Sequence, residues 1–297
     1  MTTGDRAGVG SDGPGDRNAG GAMGRMAPGD LVSATAELHW AAQLVASAGQ
    51  TFVEPAEDDS HRAMHWEAAQ SAFVGAPFAG AYPFRVALRP ADLALLILDR
   101  TGEAVATLPL AGVGIEDGYA WLSAAMATYF GGPPPVFERP DWELPAHPLE
   151  QGARFSSPVG AELEALSELY ATADRLIAEV AEKLEHASPV RCWPHHLDIA
   201  SLITLERDSE GAASRTLGIG MAPRGGGYDT WYWYVSPWPY PAPARLRALR
   251  RGHWHTEGWT GAVLAGDEVV AMPTDARLGA VRDFLEDAVE AALDALR

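Results

Sequence analysis

In FRVALRPADLALLILDRTGEAVATLPLAG, residues Phe84 to Gly112, short apolar runs alternate with Arg, Asp and Gly. Runs of this length bounded by turn formers read as β-strands, because a helix needs a longer periodic segment. The segment DRTGE, Asp99 to Glu103, reads as the turn of a hairpin. A second stretch echoes it. DLALLILDRTGEAVATLPLAG, Asp92 to Gly112, lines up with DIASLITLERDSEGAASRTLGIG, Asp198 to Gly220, each launched by an aspartate. Alternating aliphatic strands all look alike, so coincidence competes with a true repeat. The expected fold class is α+β, a mainly antiparallel sheet flanked by helices, with the echo pointing to two pseudo-repeated halves.

Helical patterns bracket the strands. Leu31, Ala34, Leu38, Ala41 and Val45 recur at helical spacing, with Asp30 as the expected N-cap and Gly49 as the expected stop. IEDGYAWLSAAMATYF, Ile115 to Phe130, reads as a helix ended by GGPPP. Ser157 and Pro158 open a longer one, whose stripe runs Leu163, Leu166, Tyr170, Ala173, Ile177, Val180 and Leu184. A last helix starts near Asp275, and a strand is expected near GDEVVAMP. The HRAMHWEAAQ segment has no clear period. The expected limits are a disordered glycine-rich tail over 1–28, a first α+β half over 29–132, a proline-rich connector over 133–154, and a second α+β half over 155–297, folded as one unit.

Composition narrows the function. The 297 residues carry 47% apolar side chains and a formal net charge of −18. So acidic a chain is a poor partner for nucleic acid phosphates or an anionic membrane surface, so neither partner is expected. The longest aliphatic run, Leu93 to Leu98, is far too short to span a bilayer. Cys192 is the only cysteine, so no intrachain disulfide forms. With no secretory signal pattern at the start, the expected compartment is the cytoplasm. Cys192 itself reads as a buried, inert thiol.

Several polar groups could carry chemistry. In RGHWHTEGWTG, Arg251 to Gly261, the alternating His253, His255 and Glu257 leave one face of a strand. Imidazole and carboxylate are the usual ligands of zinc, iron or manganese, so these three are metal candidates and a divalent ion is the candidate cofactor. The competing reading is a sheet edge where the histidines hydrogen-bond other side chains and Glu257 faces solvent. In WPHHLD, read as a strand, His196 and Asp198 share one face and His195 takes the other. His39 and Gln43 are neighbours on a helical face. Along YDTWYWYVSPWPY, Trp231 and Trp233 read as core, while Tyr232, Tyr234 and Trp238 read as a pocket wall. MAPRGGGYD reads as a flexible hairpin and lacks the phosphate-loop pattern, and there is no serine nucleophile elbow.

Taken together, LHWAAQLV, SPVRCWPHHLDIASL, YDTWYWYVSPWPY and GHWHTEGWTGAVL resemble a family of bacterial proteins of unknown function. The resemblance covers roughly residues 30–297, with Leu197 standing where phenylalanine is expected. It supports the domain limits and draws attention to the polar residues named above, and it implies no activity. The leading expectation is a protein that binds a small molecule or a metal over the sheet. The alternatives are a metal-dependent enzyme of hydrolase or oxygenase type, and an interaction module that uses the SPWPYPAPAR edge.

Overall fold

The computed structural model describes residues 23, 26–78, 84–157 and 160–297. Among them, eleven strands form one sheet. The strands are β1 Met64–Glu67, β2 Ala72–Gly75, β3 Arg85–Arg89, β4 Ala94–Leu98, β5 Ala104–Pro109, β6 Arg191–Trp193, β7 Asp198–Arg207, β8 Ala213–Ala222, β9 Tyr232–Trp238, β10 His253–His255 and β11 Gly261–Ala265. Their order is β10-β11-β9-β8-β7-β6-β1-β2-β3-β4-β5, every neighbouring pair antiparallel. The α+β class and the antiparallel sheet are therefore as expected. The helices are α1 Val32–Phe52, α2 Ile115–Phe130, α3 Ala161–Ala181, α4 Gly266–Val270 and α5 Thr274–Leu296. None is long and apolar enough to cross a membrane.

The sheet is assembled from the middle outwards. β1 and β6 meet at Met64 and Cys192; β1 to β5 meander away on one side, and β6 to β9 on the other, where β11 follows β9 and β10 forms the edge. Helix α1 lies on β2 and β3, α3 lies on β7 and β8, and α5 lies mainly on β9. α3 packs against both α1 and α5, so these helices form one layer. The buried core between layer and sheet is continuous across the seam, from Leu38 and Phe73 through Tyr170 to Trp233 and Phe284. The two echoing hairpins sit differently in this order. β4–β5 lies farthest from the seam in its half, whereas β7–β8 is separated from it by β6 alone. Their similar text does not correspond to matching places in the strand order.

Three hairpins share one construction. Four-residue turns join β1 to β2, β3 to β4 and β6 to β7, with Glu67 opposite Ala72, Arg89 opposite Ala94 and Trp193 opposite Asp198. The last turn residue is left-handed in each: Ser71 at φ 48°, Leu93 at φ 46° and Leu197 at φ 57°. That conformation costs a side-chain-bearing residue roughly 1–2 kcal/mol. Leu93 and Leu197 are fully buried, and burying a leucine contributes roughly 1.5–3 kcal/mol, which offsets the strain.

Several local expectations need correction. Asp30 lies inside a 3-10 turn, Pro28–Leu31, and caps nothing. Helix α1 runs through Gly49 to Phe52. Gly49 is there for space, since a Cβ would sit 2.2 Å from the His61 carbonyl oxygen. The aperiodic HRAMHWEAAQ segment contains β1, too short to show a period. Helix α3 opens at Ala161 after Gly160, not at Ser157, and Pro158 lies outside the described residues. The strand expected near GDEVVAMP is the preceding β11. GDEVV itself is α4, because Glu268 Oε1 accepts from Ala265 N and favours a helical first turn. The disordered-tail expectation falls largely outside the described residues. Of its last residues, Met23 and Pro28 are buried, and the Met23 carbonyl accepts from Arg277.

Candidate functional site

Strand alternation divides β9 between two environments. Trp231, just before it, and Trp233 and Val235 within it face the helices and join the main core. Tyr232 and Tyr234 face the other way. On that outer face they line an open cleft of about 290 Å³ with His196, Asp198, Arg224, Ser236, Tyr240 and Trp259. Four residues singled out from sequence, His196, Asp198, Tyr232 and Tyr234, are thus brought together here.

The geometry follows from small residues on the neighbouring strand. Asp198 begins β7 and Tyr234 sits on β9, with β8 between them. Gly218 and Gly220 of β8 present no side chain to this face, so the Tyr234 ring lies flat across them. At Gly220 an added Cβ would stand 2.6 Å from the Tyr234 ring carbon and hydroxyl. The Tyr234 hydroxyl therefore reaches over β8 and donates to Asp198 Oδ2 at 2.6 Å. Burial, and then the Asp198 charge, push the Tyr234 hydroxyl well above the usual phenol range, so it keeps its proton and stays a donor. Burial raises the Asp198 carboxyl, while Tyr234 and the nearby His195 and His196 pull it back down.

WPHHLD is a turn and not a strand. Pro194 to Leu197 join β6 to β7, so His195 and His196 project from a loop. Their rings lie 4.3 Å apart. His196 is exposed on the cleft, while His195 turns toward Trp142 and Trp193. Burial, followed by the neighbouring His196, lowers the His195 pKa.

His39 and Gln43 stand outside the cleft. Both are buried on α1, and both donate to the Pro194 carbonyl at 2.9 Å. Because that oxygen only accepts, His39 carries its proton on Nε2. Gln43 also donates to the His39 carbonyl, and its Oε1 accepts from Trp142 Nε1. From α3, Tyr170 donates to the Leu197 carbonyl at 2.7 Å. The residues flagged as pocket candidates on α1 thus hold the loop that carries His195 and the cleft's His196. Burial depresses the His39 pKa to about 4, which keeps the ring neutral near pH 7.

The row of His253, His255 and Glu257 does not gather around a point. The Tyr228 hydroxyl stands between the two imidazoles, 2.9 Å from His253 Nε2 and 3.3 Å from His255 Nδ1. His255 Nε2 donates to the Glu257 backbone carbonyl, and the His255 ring stacks on Trp259 at 4.7 Å. Since that donation leaves His255 Nδ1 as an acceptor in the neutral ring, Tyr228 donates to it and accepts from His253. Glu257 is exposed. Among the described residues no three His, Cys, Asp or Glu side chains are placed to hold a metal ion. The row is a sheet-edge fastener instead. Tyr228 belongs to the Arg224–Thr230 loop, where Gly225, Gly226 and Gly227 all take positive φ. Trp259 Nε1 holds the same loop through the Gly226 carbonyl at 2.9 Å. The loop closes one side of the cleft and brings Arg224 into it.

Trp238 leaves the cleft. It is half exposed and packs edge-on against Tyr240, 5.0 Å away. Sequence reasoning missed Arg224, Tyr240 and Trp259. The available signal was the glycine run after Arg224, since such a run lets backbone fold tightly over a neighbouring surface. Cys192 is fully buried in the core, and burial pushes its thiol pKa well up. No family model, curated protein or solved structure matches the chain.

Proposed function

We propose that the protein binds a small organic molecule in the outer-face cleft. The observation that carries this reading is the half-buried Asp198 carboxylate, bonded to the Tyr234 hydroxyl and facing an open cleft also lined by Tyr232 and Trp259. A recessed charge costs stability unless something solvates it. Convergent polar groups under aromatic walls are the usual composition of a ligand site. The volume equals on the order of ten water molecules, which suits a single metabolite.

The test is a thermal-shift screen of sugars, nucleosides, amines, carboxylates and amino acids against the full chain and its Tyr234→Phe and Trp259→Ala variants. A compound at about 100 Kd stabilises by about 2.7 kcal/mol, which shifts Tm by several degrees. The expected result is at least one compound whose shift is lost in both variants. Shifts that persist unchanged in both would place binding elsewhere and remove the proposal.

A further inference from the structure

The cleft holds two charges of opposite sign that do not neutralise each other. Asp198 accepts a hydrogen bond from the neutral Tyr234 phenol, and neither it nor Arg224 has an ion-pair partner within 4.0 Å among the described residues. Elsewhere the chain pairs its cations readily: Arg139 is bidentate on Glu116, Arg89 on Asp92, and Arg247 bridges Asp287 and Glu290. Arg224 is half-buried and lines the same cleft as Asp198. Arg224 is placed by the glycine loop that Tyr228 and Trp259 tie down, so its position is supported from outside the cleft. Asp198 is fixed by the Tyr234 hydroxyl. Tyr232 and Trp259, ring centroids 6.3 Å apart, line the same cleft.

Building on the reading of this cleft as a ligand site, we infer that its ligand is a small zwitterion of the amino-acid type. The ammonium group pairs with Asp198 against the electron-rich rings, the carboxylate pairs with Arg224, and a flat apolar group lies along the aromatic wall. A guanidinium matches a carboxylate with two parallel N–H donors. A carboxylate flanked by aromatic faces favours a cation through both charge and ring quadrupole. A singly charged ligand leaves one of the two groups unpaired in the cavity and so binds less tightly.

The test uses three probes on one carbon frame, titrated calorimetrically into the full chain at pH 7: L-phenylalanine with both charges, phenethylamine with the cation alone, and 3-phenylpropionate with the anion alone. L-phenylalanine is expected to bind at least tenfold more tightly than either. Asp198→Asn should abolish its advantage over 3-phenylpropionate, and Arg224→Gln its advantage over phenethylamine. Equal affinity for a singly charged probe and the zwitterion, or no binding by any probe, overturns the inference. The wild-type series alone decides this if a variant fails to fold. A single-charge probe that binds as tightly as L-phenylalanine, and in a Trp259-dependent way, would sink the zwitterion while leaving the cleft as a ligand site. Failure of the broad screen as well would remove both.

Discussion

At the scale of single residues, the cleft depends on side chains that never touch it. His39 and Gln43 spend their hydrogen bonds on the Pro194 carbonyl, and Tyr170 spends its own on Leu197, so both ends of the turn bearing His195 and His196 are held from the helical layer. This arrangement has a pH signature. His39 titrates near 6.5 when unfolded and near 4 when folded, so between those values the unfolded chain binds the extra proton. The stabilisation is complete above about pH 6.5 and is lost as pH falls toward 4, amounting to about 3 kcal/mol. Urea unfolding from pH 4 to 7.5 should show this loss in the wild type and a flatter curve in His39→Gln. The difference between the two curves isolates His39 from Asp174, whose carboxyl burial pushes up to about 6 and which acts in the opposite direction. An unchanged slope in the variant would mean that His39 is not held neutral.

At the scale of elements, strand β8 works by what it lacks. Its Leu217, Ile219 and Met221 fill the core on one face, while Gly218 and Gly220 leave the other face bare. That bare strip is what lets a tyrosine on β9 reach an aspartate on β7. Gly220→Ala should push the Tyr234 ring off Asp198 and also press on the Ile199 carbonyl, 2.8 Å from the new Cβ. The expected outcome is a destabilisation of roughly 1–3 kcal/mol by overpacking, together with loss of any ligand that depends on Tyr234. A variant as stable as the wild type, with Tyr234 still bonded to Asp198 by nuclear magnetic resonance, would show that the strip is not needed. Much of this element scale was legible beforehand. The alternation in DTWYWYV correctly separated Trp231 and Trp233 from Tyr232 and Tyr234, because a strand's period of two depends only on local backbone geometry. The same rule failed at WPHHLD, where it was applied to a turn. A left-handed leucine is not foreseeable from local preference, since only its tertiary burial makes the conformation affordable.

At the scale of the whole molecule, the seam between the halves is narrow in the sheet and broad in the core. β1 and β6 share a single register pair, Met64 with Cys192. Beneath it, Tyr170 of α3 packs its ring edge-on against Phe73 of β2 at 4.8 Å, and α1 reaches across to Pro194. One continuous buried cluster spans both halves. The chain should therefore unfold in one step, with equal calorimetric and van't Hoff enthalpies and coincident fluorescence and circular dichroism transitions. Two resolved transitions would mean that the halves are energetically separate despite the shared core.

What the sequence determined alone was whatever local periodicity and composition control: the α+β class, the cores of α2, α3 and α5, the β4–β5 and β7–β8 hairpins, and the two faces of β9. Tertiary structure decided the rest. It carried His39 and Gln43 away from the outer-face cleft, turned a row of candidate metal ligands into a clasp around Tyr228, and brought Arg224 and Asp198 to one cleft. Each of those outcomes depends on which distant strand lies alongside, and strand neighbours are chosen by packing of the shared core, a sum over contacts that no single stretch of chain contains.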